Sequence, residues 1–201
     1  MSKFFDIINN DVKSFLDIGA NVGSFAMMIK NNFPNLDMFL IEANPFCDTA
    51  LGRTGIPYEI VCLSDVEKEV KFFFEDNNFQ GTGASYYLEK TVHYSRQNFS
   101  MMQTKLLDDV ILAKYGDHKQ FDFIKMDTQG SELDILRGGE KTAAKAKYIL
   151  IETSLVEYNE KAPLQDEVFK YMDFIGFKPT ELVETHTHNG TVVQEDWIFT
   201  R

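Results

Sequence analysis

The chain has 201 residues, 44% of them apolar and 25% charged. These are the proportions of an ordinary globular domain, and they exclude a disordered tail, a collagenous chain and a linker. Its 31 acidic against 20 basic residues leave a net charge of −11, a field that repels phosphate backbones and anionic headgroups and so disfavours nucleic-acid and membrane-surface roles.

Neither an internal repeat nor a Pro/Ser-rich linker interrupts the sequence, so residues 1–201 read as one domain. Ser14 to Ile18 is an apolar run ending in Asp17-Ile18-Gly19, Ser24 to Asn32 reads as a helix, and Leu36 to Ile41 is the next strand. Asn44-Pro45 opens a second helix, because proline's missing donor has no partner in a first turn. Tyr58 to Leu63 is a third strand. Strands alternating with helices predict a parallel sheet with right-handed crossovers. Glu67 to Glu75 then alternates like a hairpin arm, and a polar, glycine-bearing stretch follows, read as a lid or acceptor loop over 76–104. Thr104 to Tyr115 is expected to be mostly helical, Phe121 to Met126 a strand, Ser131 to Gly138 a helix, Lys147 to Glu152 a strand and Gln165 to Phe174 a helix. Phe177 to Glu184 and Val192 to Thr200 read as an antiparallel hairpin around Asn189-Gly190. The expected class is α/β, with five or more parallel strands closed by an antiparallel pair.

Membrane spans and signal peptides are not expected: no run reaches about 18 apolar residues, and no charged n-region precedes an apolar one. Cys47 and Cys62 form no CxxC pair, and Cys62 lies in an apolar run where a buried, inert thiol is expected. A reducing, cytoplasmic setting follows.

Chemistry concentrates at the strand ends. A strand running into Gly19, with Gly23 at the head of a helix, brings backbone close to a ligand, since neither glycine projects a Cβ. The spacing is G-x-x-x-G, and Asp17 would oppose a diphosphate, so the turn favours a zwitterionic, amino-acid-bearing cofactor. Glu42, about twenty residues beyond the first glycine, is where a doubly wound fold holds the two hydroxyls of a ribose; the competing role is a helix-capping acid ahead of Asn44-Pro45. Ser64 or Asp65, after the third strand, could meet an adenine amino group, or form only a turn. Lys125 and Asp127 end the strand before Gly130, on one side of it, and could simply form an ion pair. Glu132 reads either as part of this cluster or as a first-turn helix acid. Glu152 ends another apolar strand, where burial without a partner is costly. On adjacent strand tips, Asp127 and Glu152 could supply a general base for a hydroxyl. They could also hold a hard divalent cation, although two oxygens make an incomplete site, and His186 with His188, on one face of a strand, lack a third ligand. His93 is a secondary base candidate. Tyr86, Tyr87, Tyr94 and Phe99 would recognise an acceptor sugar or anchor the loop.

In order and spacing, these motifs resemble the FkbM family of S-adenosylmethionine-dependent methyltransferases. The resemblance rests on Asp17-Ile-Gly-Ala-Asn-Val-Gly23, Ile41-Glu-Ala-Asn-Pro45, Leu63-Ser-Asp65, Gly83-Ala-Ser85, Thr104-Lys-Leu-Leu-Asp-Asp109, Ile124-Lys-Met-Asp-Thr-Gln-Gly-Ser-Glu132 and Leu136-Arg-Gly-Gly139. It covers roughly residues 14 to 154, and Asp196-Trp-Ile-Phe199 fits the last strands of such a domain. It implies a Rossmann-like class I fold with a seven-stranded, mostly parallel sheet, its last strand antiparallel and helices on both faces. It further implies methyl transfer from S-adenosylmethionine to an oxygen, commonly a sugar hydroxyl of a glycan or glycosylated natural product. By position, Asp17, Gly19 and Asn21 would line the methionine end, Glu42 the ribose and Asp65 the adenine edge. The sequence departs from the family at Thr128-Gln129, where an aliphatic residue and an acid are more common. Two alternatives stand beside this reading. A nicotinamide-dependent oxidoreductase predicts the three-glycine fingerprint, which is missing, and a silent nucleoside-binding module predicts binding without turnover.

Overall fold

The computed structural model describes residues 2–188 and 190–201. Helix α1 (Ser2–Asp11) precedes strand β1 (Ser14–Ile18), helix α2 (Ser24–Asn32) and strand β2 (Asp37–Glu42). A 3₁₀ turn (Pro45–Cys47) leads into α3 (Asp48–Arg53), then β3 (Tyr58–Ile60), β4 (Cys62–Leu63), β5 (Glu69–Glu75) and β6 (Tyr94–Lys105). The second half comprises α4 (Leu107–Tyr115), β7 (Phe123–Met126), α5 (Glu132–Gly138), α6 (Glu140–Ala144), β8 (Tyr148–Ser154), α7 (Gln165–Phe174), β9 (Lys178–His188) and β10 (Thr191–Thr200). Seven strands form one sheet in the order β3-β2-β1-β7-β8-β10-β9. The first five are mutually parallel, and β10 runs antiparallel to both its neighbours. This is the expected Rossmann-like sheet.

Period-two alternation sends neighbouring side chains to opposite faces, and each face has its own core. Phe15, Met38, Leu40 and Phe123 pack with Phe4 and Ile8 of α1, Ala26 and Ile29 of α2 and Leu51 of α3. Leu16, Phe39, Ile124 and Ile149 pack on the other side with Val110 and Ile111 of α4, Leu136 of α5 and Met172 of α7. Strand order reverses between β1 and β7, so the crevice beyond their carboxyl ends is the ligand position in a doubly wound sheet.

The structure departs from the sequence expectations in three places. The third strand, expected over Tyr58 to Leu63, divides: Tyr58–Ile60 joins the main sheet, whereas Cys62–Leu63 pairs with β6 in a separate sheet, ordered β4-β6-β5. A continuous apolar run carries no signal of a change of pairing partner. The irregular loop over 76–104 stops at Tyr94, where β6 begins and pairs antiparallel with β5, so its last third is sheet and the helix waits until Leu107. Only Thr104 of β6 is buried, and a strand half-exposed on both faces has no alternation to read. Helix α1 was not anticipated, although Phe4 and Ile8 stand one helical turn apart and both are buried. The hairpin joins β9 to β10 as expected; Asn189 of its turn lies outside the described residues.

Candidate active site

The turn after β1 is shaped by its glycines. Gly19 has φ +82°, and a Cβ there would run into the backbone carbonyl of Asp127, so the turn and the end of β7 touch through bare backbone. Gly19 and Ala20 both donate to the Ile41 carbonyl, which draws the turn over β2. Asn21, in the left-handed region at φ +48°, donates its backbone N–H to Glu42 Oε2 at 2.6 Å, and Asn44 donates its own to Glu42 Oε1 at 2.7 Å. Glu42 is therefore a cap for two turns and also a wall of the cavity beside them. Burial raises its pKa against the pull of those backbone donors.

That first cavity, of 80 Å³, is bounded by Ile18, Gly19, Glu42, Cys62, Tyr86 and Ile135 among others, and Gly81 and Thr82 lie across it. The covering segment is fastened down: Asn44 Nδ2 donates to Phe79 O at 2.6 Å, Asn21 Nδ2 to Gln80 O at 3.1 Å and Gln80 Nε2 to Phe46 O at 2.7 Å. Ser64 and Asp65 do not line this cavity. Ser64 donates to Asp65 Oδ1, which also pairs with Lys68 at 3.0 Å; burial works against the Asp65 charge, but Lys68 and Ser64 together hold its pKa below the usual range. Of the four aromatic residues expected to recognise an acceptor, Tyr86 lines this cavity, and Tyr94 lines a separate one of 420 Å³ with Glu89, Arg96 and Glu160. Tyr86 and Tyr87 both donate to Asp134 Oδ2 at 2.9 Å, and Phe99 packs on Phe73, so these rings anchor the loop to the body.

A second cavity of 460 Å³ opens on the other side of the Gly19 turn. Gly19, Asn21, Thr82 and Asp127 border both cavities; Lys125, Glu152, His186 and Asp196 border only the second, with Phe4, Phe25 and Leu150 as its apolar wall. Lys125 Nζ lies 3.2 Å from Asp127 Oδ2 and 3.5 Å from Asp17 Oδ1, so the ion pair read from the sequence is present and has a third member. Asp17 is 0% exposed and neither of its oxygens has a hydrogen bond. Burial raises its pKa, opposed by Lys125 and assisted by the charge of Asp127. Burial acts on Asp127 too, yet Lys125 and a hydrogen bond from Gln129 keep its carboxyl below the usual range. Gln129 Nε2 donates to Asp127 Oδ1 at 3.0 Å and to Glu152 Oε2 at 2.7 Å, bridging the two strand-tip carboxylates. The amide found where the family more often has an acid thus supplies donors to two acids. Glu152 is pushed well above the ordinary carboxylate range, first by burial and then by the charges of Asp127, Glu132 and Asp196.

Glu132 is a turn cap rather than a cavity wall: it accepts from Thr128 N at 2.7 Å, Thr128 Oγ1 at 3.0 Å and Gly130 N at 3.0 Å. Gly23, at φ +83°, heads α2 away from both cavities. His93 is exposed and borders neither cavity. Phe4, Phe25, Thr82 and Asp196 were missed by sequence reasoning. Asp196 had a signal, an acid interrupting an apolar strand end, whereas Phe4 reaches the cavity through a helix that was not anticipated.

The cavity fits S-adenosylmethionine through Gly19, whose bare backbone leaves room for a close ligand, and through Glu42 on its wall. Asp17, expected at the methionine end, is instead fully buried, pairs with Lys125 and borders neither cavity, so its carboxylate supports the site from beneath. Comparison with known proteins agrees. The family model described as "Methyltransferase FkbM domain" matches residues 17–179. The 2-O-methyltransferase NoeI of Sinorhizobium fredii is 27% identical over 165 residues, covering 75% of this chain and 67% of that protein. Methyltransferase sdnD of Sordaria araneosa is 23% identical, covering 88% and 78%. Among solved structures, magnesium protoporphyrin IX methyltransferase of Synechocystis PCC 6803, with bound SAM, superposes with TM-score 0.54 at 10% identity, over 98% of this chain and 75% of that one. Precorrin-6y C5,15-methyltransferase of Geobacter metallireducens gives 0.52 at 12% identity, over 100% and 86%. The nicotinamide alternative gives way, and the chain belongs to the FkbM family of S-adenosylmethionine-dependent methyltransferases.

Proposed function

We propose that this protein is an O-methyltransferase acting on a sugar hydroxyl of a small-molecule or glycan acceptor. The observation that carries the reading is the position of Asp127, on the wall common to both cavities. The smaller cavity takes the nucleoside, with Glu42 beside its ribose, and Gly19 and Asn21, on the wall common to both cavities, take the methionine end. The larger one takes the acceptor. When bound, the sulfonium supplies an electrophilic methyl group. The chain's own residues then have two tasks: holding an oxygen in line with that methyl, and accepting the proton the oxygen loses. Asp127 accepts the proton, Lys125 keeping it ionised until that transfer, and Glu152, steadied by Gln129, orients the hydroxyl. A wall of carboxylates suits a neutral polyhydroxylated acceptor and repels a phosphorylated one. Phe4 and Phe25 offer rings for the apolar face of a sugar. The name of the relative NoeI, a 2-O-methyltransferase, supports transfer to oxygen. The reading includes a cytoplasmic setting, supported by two unpaired, buried thiols; among the described residues no helix is long and apolar enough to cross a membrane.

The test is incubation with isotopically labelled S-adenosylmethionine and a panel of neutral glycans and glycosylated metabolites, read as a gain of one methyl group by mass. Asp127→Asn should lower kcat by about 10²-fold or more, the range of a positioned base, with S-adenosylhomocysteine binding retained. Transfer to nitrogen or carbon acceptors only, or full activity in Asp127→Asn, would overturn the assignment.

A further inference from the structure

Glu152, His186 and Asp196 come from three neighbouring strands, β8, β9 and β10, and all border the larger cavity. One donor atom from each lies within 4.8 Å of the others. His186 Nε2 is 3.5 Å from Asp196 Oδ2 and 3.9 Å from Glu152 Oε1, distances at which it makes no hydrogen bond, and the nitrogen is buried. We infer that this trio is a binding site for one divalent first-row transition-metal ion.

Three independent features lead there. The first is topological: Asp196 and Glu152 are direct cross-strand partners in the β8/β10 ladder. Like charges placed opposite one another destabilise a sheet, and among the described residues no Lys or Arg pairs with either acid. A cation between them removes that repulsion. The second is orientation. In a histidine–carboxylate base the acid would bond one ring nitrogen and leave the other for substrate, yet here both acids face the same nitrogen, Nε2. Three lone-pair donors thus converge on one point. With ligand bonds of about 2.1 Å, adjacent donors stand about 3 to 3.5 Å apart, so the trio needs only a slight inward closure. The third is support: Gln129 and Gln194 both donate to Glu152 Oε2, at 2.7 and 2.9 Å, which fixes the carboxylate with Oε1 turned to the convergence point. Such outer-sphere bonds are how proteins orient metal-bound carboxylates.

An imidazole with two carboxylates suits Mn²⁺, Fe²⁺, Co²⁺ or Zn²⁺ better than Mg²⁺ or Ca²⁺. Three protein ligands leave positions open to the cavity. On the methyl-transfer reading an acceptor oxygen would occupy one of them, but binding of the ion rests on the donors alone.

The test uses untagged protein freed of metal by chelation and dialysis, titrated with Mn²⁺ and read by loss of the free-ion electron paramagnetic resonance signal, without cofactor or acceptor. One ion per chain is expected. Asp196→Asn and His186→Gln should each weaken binding by more than about tenfold, a loss even outer-sphere partners command, whereas His188→Gln, altering an exposed residue of the same strand, should leave it unchanged. Calorimetry with S-adenosylhomocysteine on the same variants certifies that they fold, and tests the cofactor reading separately. Absence of saturable Mn²⁺ uptake by the parent protein, or undiminished uptake by a folded Asp196→Asn/His186→Gln double variant, would overturn the inference.

Discussion

Replacing Lys125 by methionine isolates the energetics beneath the active site. Lys125 is 9% exposed and lies between Asp17, 0% exposed, and Asp127. Methionine keeps the length of the stem and its packing against Phe25, whose ring centroid is 5.1 Å from the ammonium. What the substitution removes is the only cation paired with Asp17 among the described residues. Breaking a buried pair by deleting one partner costs about 3 to 5 kcal/mol, because the remaining charge is stranded. That is a large part of the roughly 5 to 15 kcal/mol that holds a domain together. With a urea slope of about 3 kcal/mol/M, the unfolding midpoint should fall by about 1 to 2 M. The sign of the pH dependence follows from Asp17. Its folded pKa is raised by burial, and losing Lys125 raises it further, so ionised Asp17 is a cost to the folded state. That cost is absent below the unfolded carboxyl value of about 3.9, grows as pH rises, and is complete once pH passes the folded pKa. The gap between variant and parent should therefore be small near pH 4 and widen as pH rises toward the raised folded pKa of Asp17. Adding Asp17→Asn should restore most of the loss, since an amide strands no charge. Urea titrations of the two single variants and the double variant at several pH values measure all of this. A Lys125→Met loss under 1 kcal/mol at pH 7, or a loss unchanged by Asp17→Asn, would refute the reasoning.

Other consequences are sharp enough to measure. Gly19→Ala places a methyl group against the Asp127 carbonyl at a φ of +82°; the left-handed conformation alone costs about 1 to 2 kcal/mol, and calorimetry should find S-adenosylhomocysteine binding lost even where circular dichroism shows a folded chain. Gln129→Glu replaces the amide that donates to Asp127 and Glu152 with a third acid, and chemical denaturation should show a loss of about 2 kcal/mol or more at pH 7 that shrinks on acidification. Glu132, pushed up by burial to about 7 despite its backbone donors, is another raised carboxyl: its ionisation subtracts stability as pH rises from about 4.5 to about 7, by up to about 3 kcal/mol. Glu132→Gln should flatten the stability profile across that window, and an unchanged slope would mean that the turn it caps opens to water.

How far the sequence discloses this molecule depends on whether a feature is local. Ser14–Ile18, Ser24–Asn32 and Gln165–Phe174 have the bounds read from the sequence, because each carries its own period and its own stop. Gly19, Glu42 and Asp127 were legible as one crevice because a parallel sheet brings every strand's carboxyl end to the same edge. Asp65 has the same local credentials as Glu42, an acid just past a strand, yet it pairs with Lys68 outside the cavity. The difference arises at Val61, whose N–H still bonds to Glu42 O while the two residues after it join β6; a change of sheet lies in the pairing partner, not in the run itself. The same limit hid the trio. His186 and Asp196 are ten residues apart, and Glu152 is 34 residues before His186, so no spacing rule links them. They meet because β10 inserts antiparallel between β8 and β9, placing Asp196 opposite Glu152 and Gln194 opposite His186. The register that makes this sheet a methyltransferase fold is therefore what creates the cluster: a slip of one residue would turn Asp196 to the other face and leave one carboxylate, Glu152, with His186, two donors and no site.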